Sequence, residues 1–147
     1  MKILFTSKLM DCYSDELEKL LFFNPQQKDY IINITHCINL FGQPQINSID
    51  NNIKLTLNDL HDVQTLFALS EENKTLVGVM MYSRIDDGNI VLLHIGVTDQ
   101  FSSKGVHSDK FLVPIFIHRL KNIAKVIKGV KKITLMYGHS KLIQINV

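Results

Sequence analysis

Three apolar runs separated by two polar turns, then a glycine, a long amphipathic stretch and one more apolar run, leave the second half of this chain few ways to fold. Residues 63–69 form the first run and Ser70-Glu71-Glu72-Asn73-Lys74 the first turn. Residues 75–83 form the second run, and Asp86-Asp87-Gly88-Asn89 is a strong turn signal. Residues 89–97 (Asn-Ile-Val-Leu-Leu-His-Ile-Gly-Val) follow. Runs this short joined by turns this tight predict an antiparallel meander. The nearly continuous apolar character of the third run places it at the centre of the sheet, covered on both faces.

After a loop at residues 98–104 and Gly105, the residues Phe111, Leu112, Ile115, Phe116, Leu120, Ile123, Ala124 and Ile127 make a 3.6-residue stripe. That spacing predicts a helix over residues 108–128 with Gly129 as its C-cap. Pro114 sits too deep for the first turn of such a helix, so it either kinks the helix or forces a later start. Residues 132–137 read as another strand, parallel to the one before the helix through a right-handed crossover. The sum is an α+β fold: a mixed, mostly antiparallel central sheet flanked by helices.

The first sixty residues are less sharply patterned. Residues 2–7 read as a strand. Ser14 is placed to N-cap a helix with Asp15 and Glu16 in its first turn and Leu17, Leu20 and Leu21 on one face, and Asn24-Pro25 ends it. A second helix is expected over residues 27–41, where Tyr30, Ile34, Cys37, Ile38 and Phe41 share a face before Gly42 and Pro44. The Asn-rich residues 43–52 read as a surface loop. Ile53, Leu55 and Leu57 alternate with polar residues and fit either a strand or a short turn. The 147 residues suffice for one domain, 1–147, and not for two ordinary ones.

Composition narrows function by exclusion. Sixteen basic against fourteen acidic residues give +2, too balanced for an electrostatic grip on nucleic acid or on a membrane surface. No apolar run approaches the roughly 18 residues of a membrane span, and the N-terminus lacks the pattern of a signal peptide. Cys12 and Cys37, with no paired spacing, suggest reduced thiols and a cytoplasmic setting. His36, His61, His118 and His139 show no metal-ligand spacing, so no metal is expected. Lys121, Lys125 and Lys128 read as the solvated face of the long helix.

The strand–loop–glycine–helix passage is where chemistry is expected. A glycine lets a backbone approach a ligand closely, and a helix start behind it offers unpaired amides and a positive dipole end, an arrangement suited to a phosphate. The same glycine also suits an ordinary strand-to-helix turn. Gly105 is followed by Val106-His107-Ser108, so this is not a P-loop, and the other glycines of a dinucleotide fingerprint are absent.

The stretch from Val97 to Ser108 (Val-Thr-Asp-Gln-Phe-Ser-Ser-Lys-Gly-Val-His-Ser) resembles the acyl-CoA loop of the GNAT-superfamily N-acyltransferases. Val97 matches the strand end, Phe101 the aromatic, Lys104 a common basic position, Gly105 the first motif glycine and Val106 the apolar spacer. Val77-Gly78-Val79 matches an apolar-Gly-apolar strand of the preceding meander, and Lys131-Lys132-Ile133-Thr134-Leu135 the strand after the helix. The resemblance covers about residues 63–137. Ser102 stands where the family has Arg or Gln, and His107 where it has a second Gly or Ala.

What the resemblance implies is an acyl-CoA-dependent N-acyltransferase moving an acetyl group from acetyl-CoA, its co-substrate, to a small-molecule or peptide amine. It places the pantetheine and carbonyl at the backbone of Ile95, Gly96 and Val97. The pyrophosphate falls at Ser102, Ser103, Lys104, Gly105, Val106, His107 and Ser108, with His107 either obstructing it or donating to it. His94 is the titratable side chain of the strand and the candidate base, or else a histidine packed under a helix. Tyr137 ends the last strand and either reaches the sheet opening as a second catalytic candidate or packs half-buried. The alternative is a non-catalytic GNAT-like binding or interaction module that has lost catalytic residues, to which Ser102, His107 and the ten residues after Tyr137 point. The edge of the 132–137 strand needs a cover: either residues 143–147 fold back on it as a strand, or a second chain covers it in a homodimer.

Overall fold

Burying one strand on both faces sets the architecture. In the computed structural model, which describes residues 2–22, 31–58, 60, 62–102, 104–135 and 143–147, the chain runs β1 (Ile3–Thr6), α1 (Ser14–Phe22), α2 (Ile31–Phe41), β2 (Pro44–Ile49), β3 (Asn52–Leu57), β4 (Gln64–Ser70), β5 (Leu76–Asp86), β6 (Asn89–Val97), α3 (Leu112–Val126), β7 (Lys132–Leu135) and β8 (Ile143–Asn146). Six strands form one sheet in the order β1-β4-β5-β6-β7-β8, and β2 and β3 form a separate hairpin. β4, β5 and β6 are the expected antiparallel meander. β7 lies parallel to β6, pairing Asn89–Leu92 with Lys132–Leu135. β8 folds back antiparallel onto β7 and covers its edge, the first of the two expected covers.

Side chains alternate across β6. Ile90 and Leu92 join Phe116, Leu120 and Ala124 of α3 in one core, while Val91 and Leu93 join Leu17, Leu20 and Leu21 of α1 and Leu55 and Leu57 of β3 in the other. Gly78 brings α3 close to the sheet, since a Cβ there would lie 2.8 Å from Cε2 of Phe116. The Phe116 ring also meets Phe5 of β1 edge-on, centroids 5.5 Å apart. The Arg119 guanidinium lies 4.0 Å above the Phe5 ring.

Four local expectations change. Residues 44–57 are not a loop with an ambiguous tail but the β2–β3 hairpin. Asp50 and Asn51 take φ of 52° and 64° between the paired Ile49 and Asn52, the two-residue turn these side chains tolerate. Ser14 does not cap α1. A single 3-10 turn over Asp11–Tyr13 leads into the helix, and the Ser14 hydroxyl donates to the Asp11 carbonyl at 2.7 Å. The long helix starts at Leu112 instead of residue 108, because a helix running back to Ser108 would set the Pro114 ring against the Lys110 carbonyl. A 3-10 turn over Ser108–Lys110 and Phe111 at φ 51° take up the difference. At the other end α3 stops at Val126 with Ile127 extended, so Gly129, at φ +90°, turns the chain two residues beyond the helix cap.

Phe116 is 0% exposed and ties α3 to both the sheet centre and its β1 edge. Phe116→Ala should therefore lower the unfolding free energy by about 3–5 kcal/mol in urea denaturation. Val126→Ala, at an exposed position of the same helix, should change it by less than about 0.5 kcal/mol. Equal effects would contradict this packing.

Candidate functional site: a cavity beside strand β6

The pairing of β5 with β6 slips by one residue: Met81 faces His94 and Tyr82 faces Leu92, so Leu93 is extra. A bulge of this kind re-aims side chains locally. Leu93 and His94, neighbours in sequence, both line one cavity on the α1–α2 side of the sheet, while Ile95 and Val97 return to the α3 side. The cavity holds about 130 Å³. Its floor is Met81, Leu93 and His94. Leu21 and Phe22 of α1 and Ile34, Cys37 and Ile38 of α2 roof it, and Gly42, Gln43, Pro44 and Leu57 at the base of the hairpin close one end. Ile34, Cys37 and Ile38 reach it together because i, i+3 and i+4 share a helix face. Gly42 carries φ +90° where the chain leaves α2 for β2.

Among the described residues the walls carry no Asp, Glu, Lys or Arg. His94 is 5% exposed, and burial lowers its pKa to about 4. The Cys37 thiol donates to the Leu93 carbonyl at 3.4 Å, and burial raises its pKa to about 11. Near neutral pH both groups are uncharged. The neutral imidazole is the proton-accepting form, but a base this weak has little driving force to take a proton from an amine.

The glycine loop closes on its own backbone. A Cβ on Gly105 would sit 2.1 Å from the Asp99 carbonyl oxygen and 2.4 Å from that of Gln100, so the glycine admits the loop's own backbone. The Gly105 amide donates to Ser102 O at 3.0 Å, the His107 amide to Gln100 O at 2.7 Å and the Ser108 amide to Gly105 O at 3.1 Å. The Ser102 hydroxyl donates to Asp99 O at 2.8 Å. The His107 ring lies 5.0 Å from the buried Phe101 ring. Val106 is 79% exposed and Lys104 is exposed. The α3 helix begins seven positions beyond Gly105, and Pro114 removes one amide from its first turn. As the loop stands, three of the amides assigned to the pyrophosphate of an acyl-CoA, those of Gly105, His107 and Ser108, are bonded within the loop.

The expected site residues therefore separate. His94 enters the cavity. Ile95, Gly96 and Val97 continue β6, paired with Met80, Val79 and Gly78. Residues 102 and 104–108 lie in the loop beyond, outside the cavity lining. Ser103 and Tyr137, with Tyr30, His61 and His139, lie outside the described residues. Among the described residues no three His, Cys, Asp or Glu side chains gather as metal ligands, and no helix is long and apolar enough to cross a membrane. Met81, Leu93 and Gln43, which sequence reasoning passed over, share the cavity with His94 and Cys37. Comparison with known protein families, curated proteins and solved structures finds no match for this chain.

His94 sets a pH dependence with a definite sign. Its folded pKa lies below the ordinary 6.5, so the unfolded chain binds the proton more readily. The native state is therefore favoured fully above pH 6.5 and loses stability as pH falls towards 4. His94→Leu removes that loss. In urea denaturation, the stability of wild type relative to His94→Leu should fall by about 3 kcal/mol between pH 7 and pH 4. A constant difference would contradict a buried neutral histidine.

Proposed function

We propose that this chain is a small-ligand binding domain of GNAT-like N-acyltransferase architecture, with the His94 cavity as its binding centre. The observation that carries the reading is the β6 bulge, which turns Leu93 and His94 together into one mostly apolar cavity whose described lining holds no Asp, Glu, Lys or Arg. An apolar cavity of about 150 Å³ binds benzene in place of water, and this one is close to that size. The order of meander, glycine loop, helix and parallel strand supports the architectural half of the proposal. The inward-bonded amides of Gly105, His107 and Ser108 favour a binding module over a pyrophosphate-anchored enzyme.

The second reading is an acyl-CoA-dependent N-acyltransferase using acetyl-CoA and an amine acceptor, with His94 as base. It is favoured by the placement of Ile95–Val97 on β6 beyond the stretch paired with the described part of β7. The two readings predict different responses in amide NMR spectra. Benzene should shift the amides of Cys37, Ile38, Gly42, Leu93 and His94, and acetyl-CoA should leave those of residues 104–108 in place. If acetyl-CoA shifts residues 95–97 and 104–108 and benzene leaves the cavity amides unmoved, the transferase reading replaces this one.

A further inference from the structure

The wall and rim of the cavity together select a class of ligand. Among the described residues no Asp, Glu, Lys or Arg lines it. An ion moved against such a wall loses its hydration and finds no counter-charge. His94 and Cys37 do not supply one, since burial keeps both neutral near pH 7. Among the described residues of the lining, Gln43 is the exposed polar one. Its carboxamide offers two donors and an acceptor at the rim and no charge. Gln43 lies between Gly42 and Pro44 where the chain enters β2, at the base of the hairpin.

We infer that the cavity takes an uncharged amphiphile, with an alkyl, acyl or aromatic body of about six carbons against Met81 and Leu93 and a neutral hydroxyl, amide or ester head at Gln43. This rests on the cavity being the binding centre, and it adds that ligand charge, more than ligand size, decides entry. The body matches the benzene-sized volume, and the head keeps a hydrogen bond that a plain hydrocarbon lacks.

The test titrates the full chain at pH 7 with benzene, hexan-1-ol, hexanamide, hexanoate, hexylamine and hexanoyl-CoA, read by calorimetry and by the amide signals of Leu93 and Cys37. Hexan-1-ol and hexanamide should bind at least about tenfold tighter than hexanoate and hexylammonium. Gln43→Leu, a change at an exposed position, should weaken hexanamide about three- to tenfold relative to benzene. Hexanoate or hexylammonium binding as tightly as the alcohol would overturn the inference, as would hexanamide binding equally well to Gln43→Leu. Hexanoyl-CoA binding far more tightly than hexanamide would overturn a free amphiphile in favour of a coenzyme-carried acyl group. Failure of benzene itself would instead remove the cavity as a binding centre, and the inference with it.

Discussion

The structure depends on one strand that is buried on both faces and carries one residue too many. The side chains of β6 are apolar from Ile90 through Leu93, so neither face of the sheet centre can meet water. Helix α3 must cover one face, and α1, α2 and the β2–β3 hairpin the other. A regular strand would then send Leu93 and His94 to opposite sides. The bulge sends both to the α1–α2 side and restores Ile95 and Val97 to α3. A histidine thereby enters an apolar space without disturbing the core under α3.

That single irregularity also separates two features that sequence reading joins. His94 and Gly105 are eleven positions apart and fall within one resemblance. In the fold, His94 belongs to the α1–α2 side, whereas Phe101, at the root of the loop, packs in the core under α3. The loop closes on its own carbonyls, with Gly105 placed where any Cβ would strike Asp99 and Gln100. A glycine required for close backbone approach looks the same in sequence whether the approaching atom belongs to a ligand or to the chain itself.

Much of the architecture was legible because its signals were strong and local. Turn chemistry at residues 86–89 set the β5–β6 connection, and the 3.6-residue stripe through Phe116 and Leu120 set the face of α3. The β2–β3 hairpin was missed because Asn and Pro in residues 43–52 weigh towards loop. Its turn was nonetheless written in Asp50 and Asn51, residues able to take the positive φ that a two-residue connection needs. The start of α3 was ambiguous for a physical reason, since Pro114 constrains where a helix begins without specifying the 3-10 turn that precedes it. The bulge was not legible at all. Period-two alternation reveals an extra residue only where polar and apolar positions alternate, and the run Ile90-Val91-Leu92-Leu93 has no alternation to break. The cavity lining built on that bulge stayed hidden with it.

The proposed binding requires the space between Leu93, Cys37 and Ile38 to be a true apolar cavity. Xenon enters dry apolar cavities of this size and avoids polar, hydrated ones. A crystal of the protein pressurised with xenon should show a xenon atom beside Leu93 and Cys37, with the surrounding side chains unmoved. Ordered waters bridging His94 and Gln43 in that space, with xenon absent from it, would contradict the account.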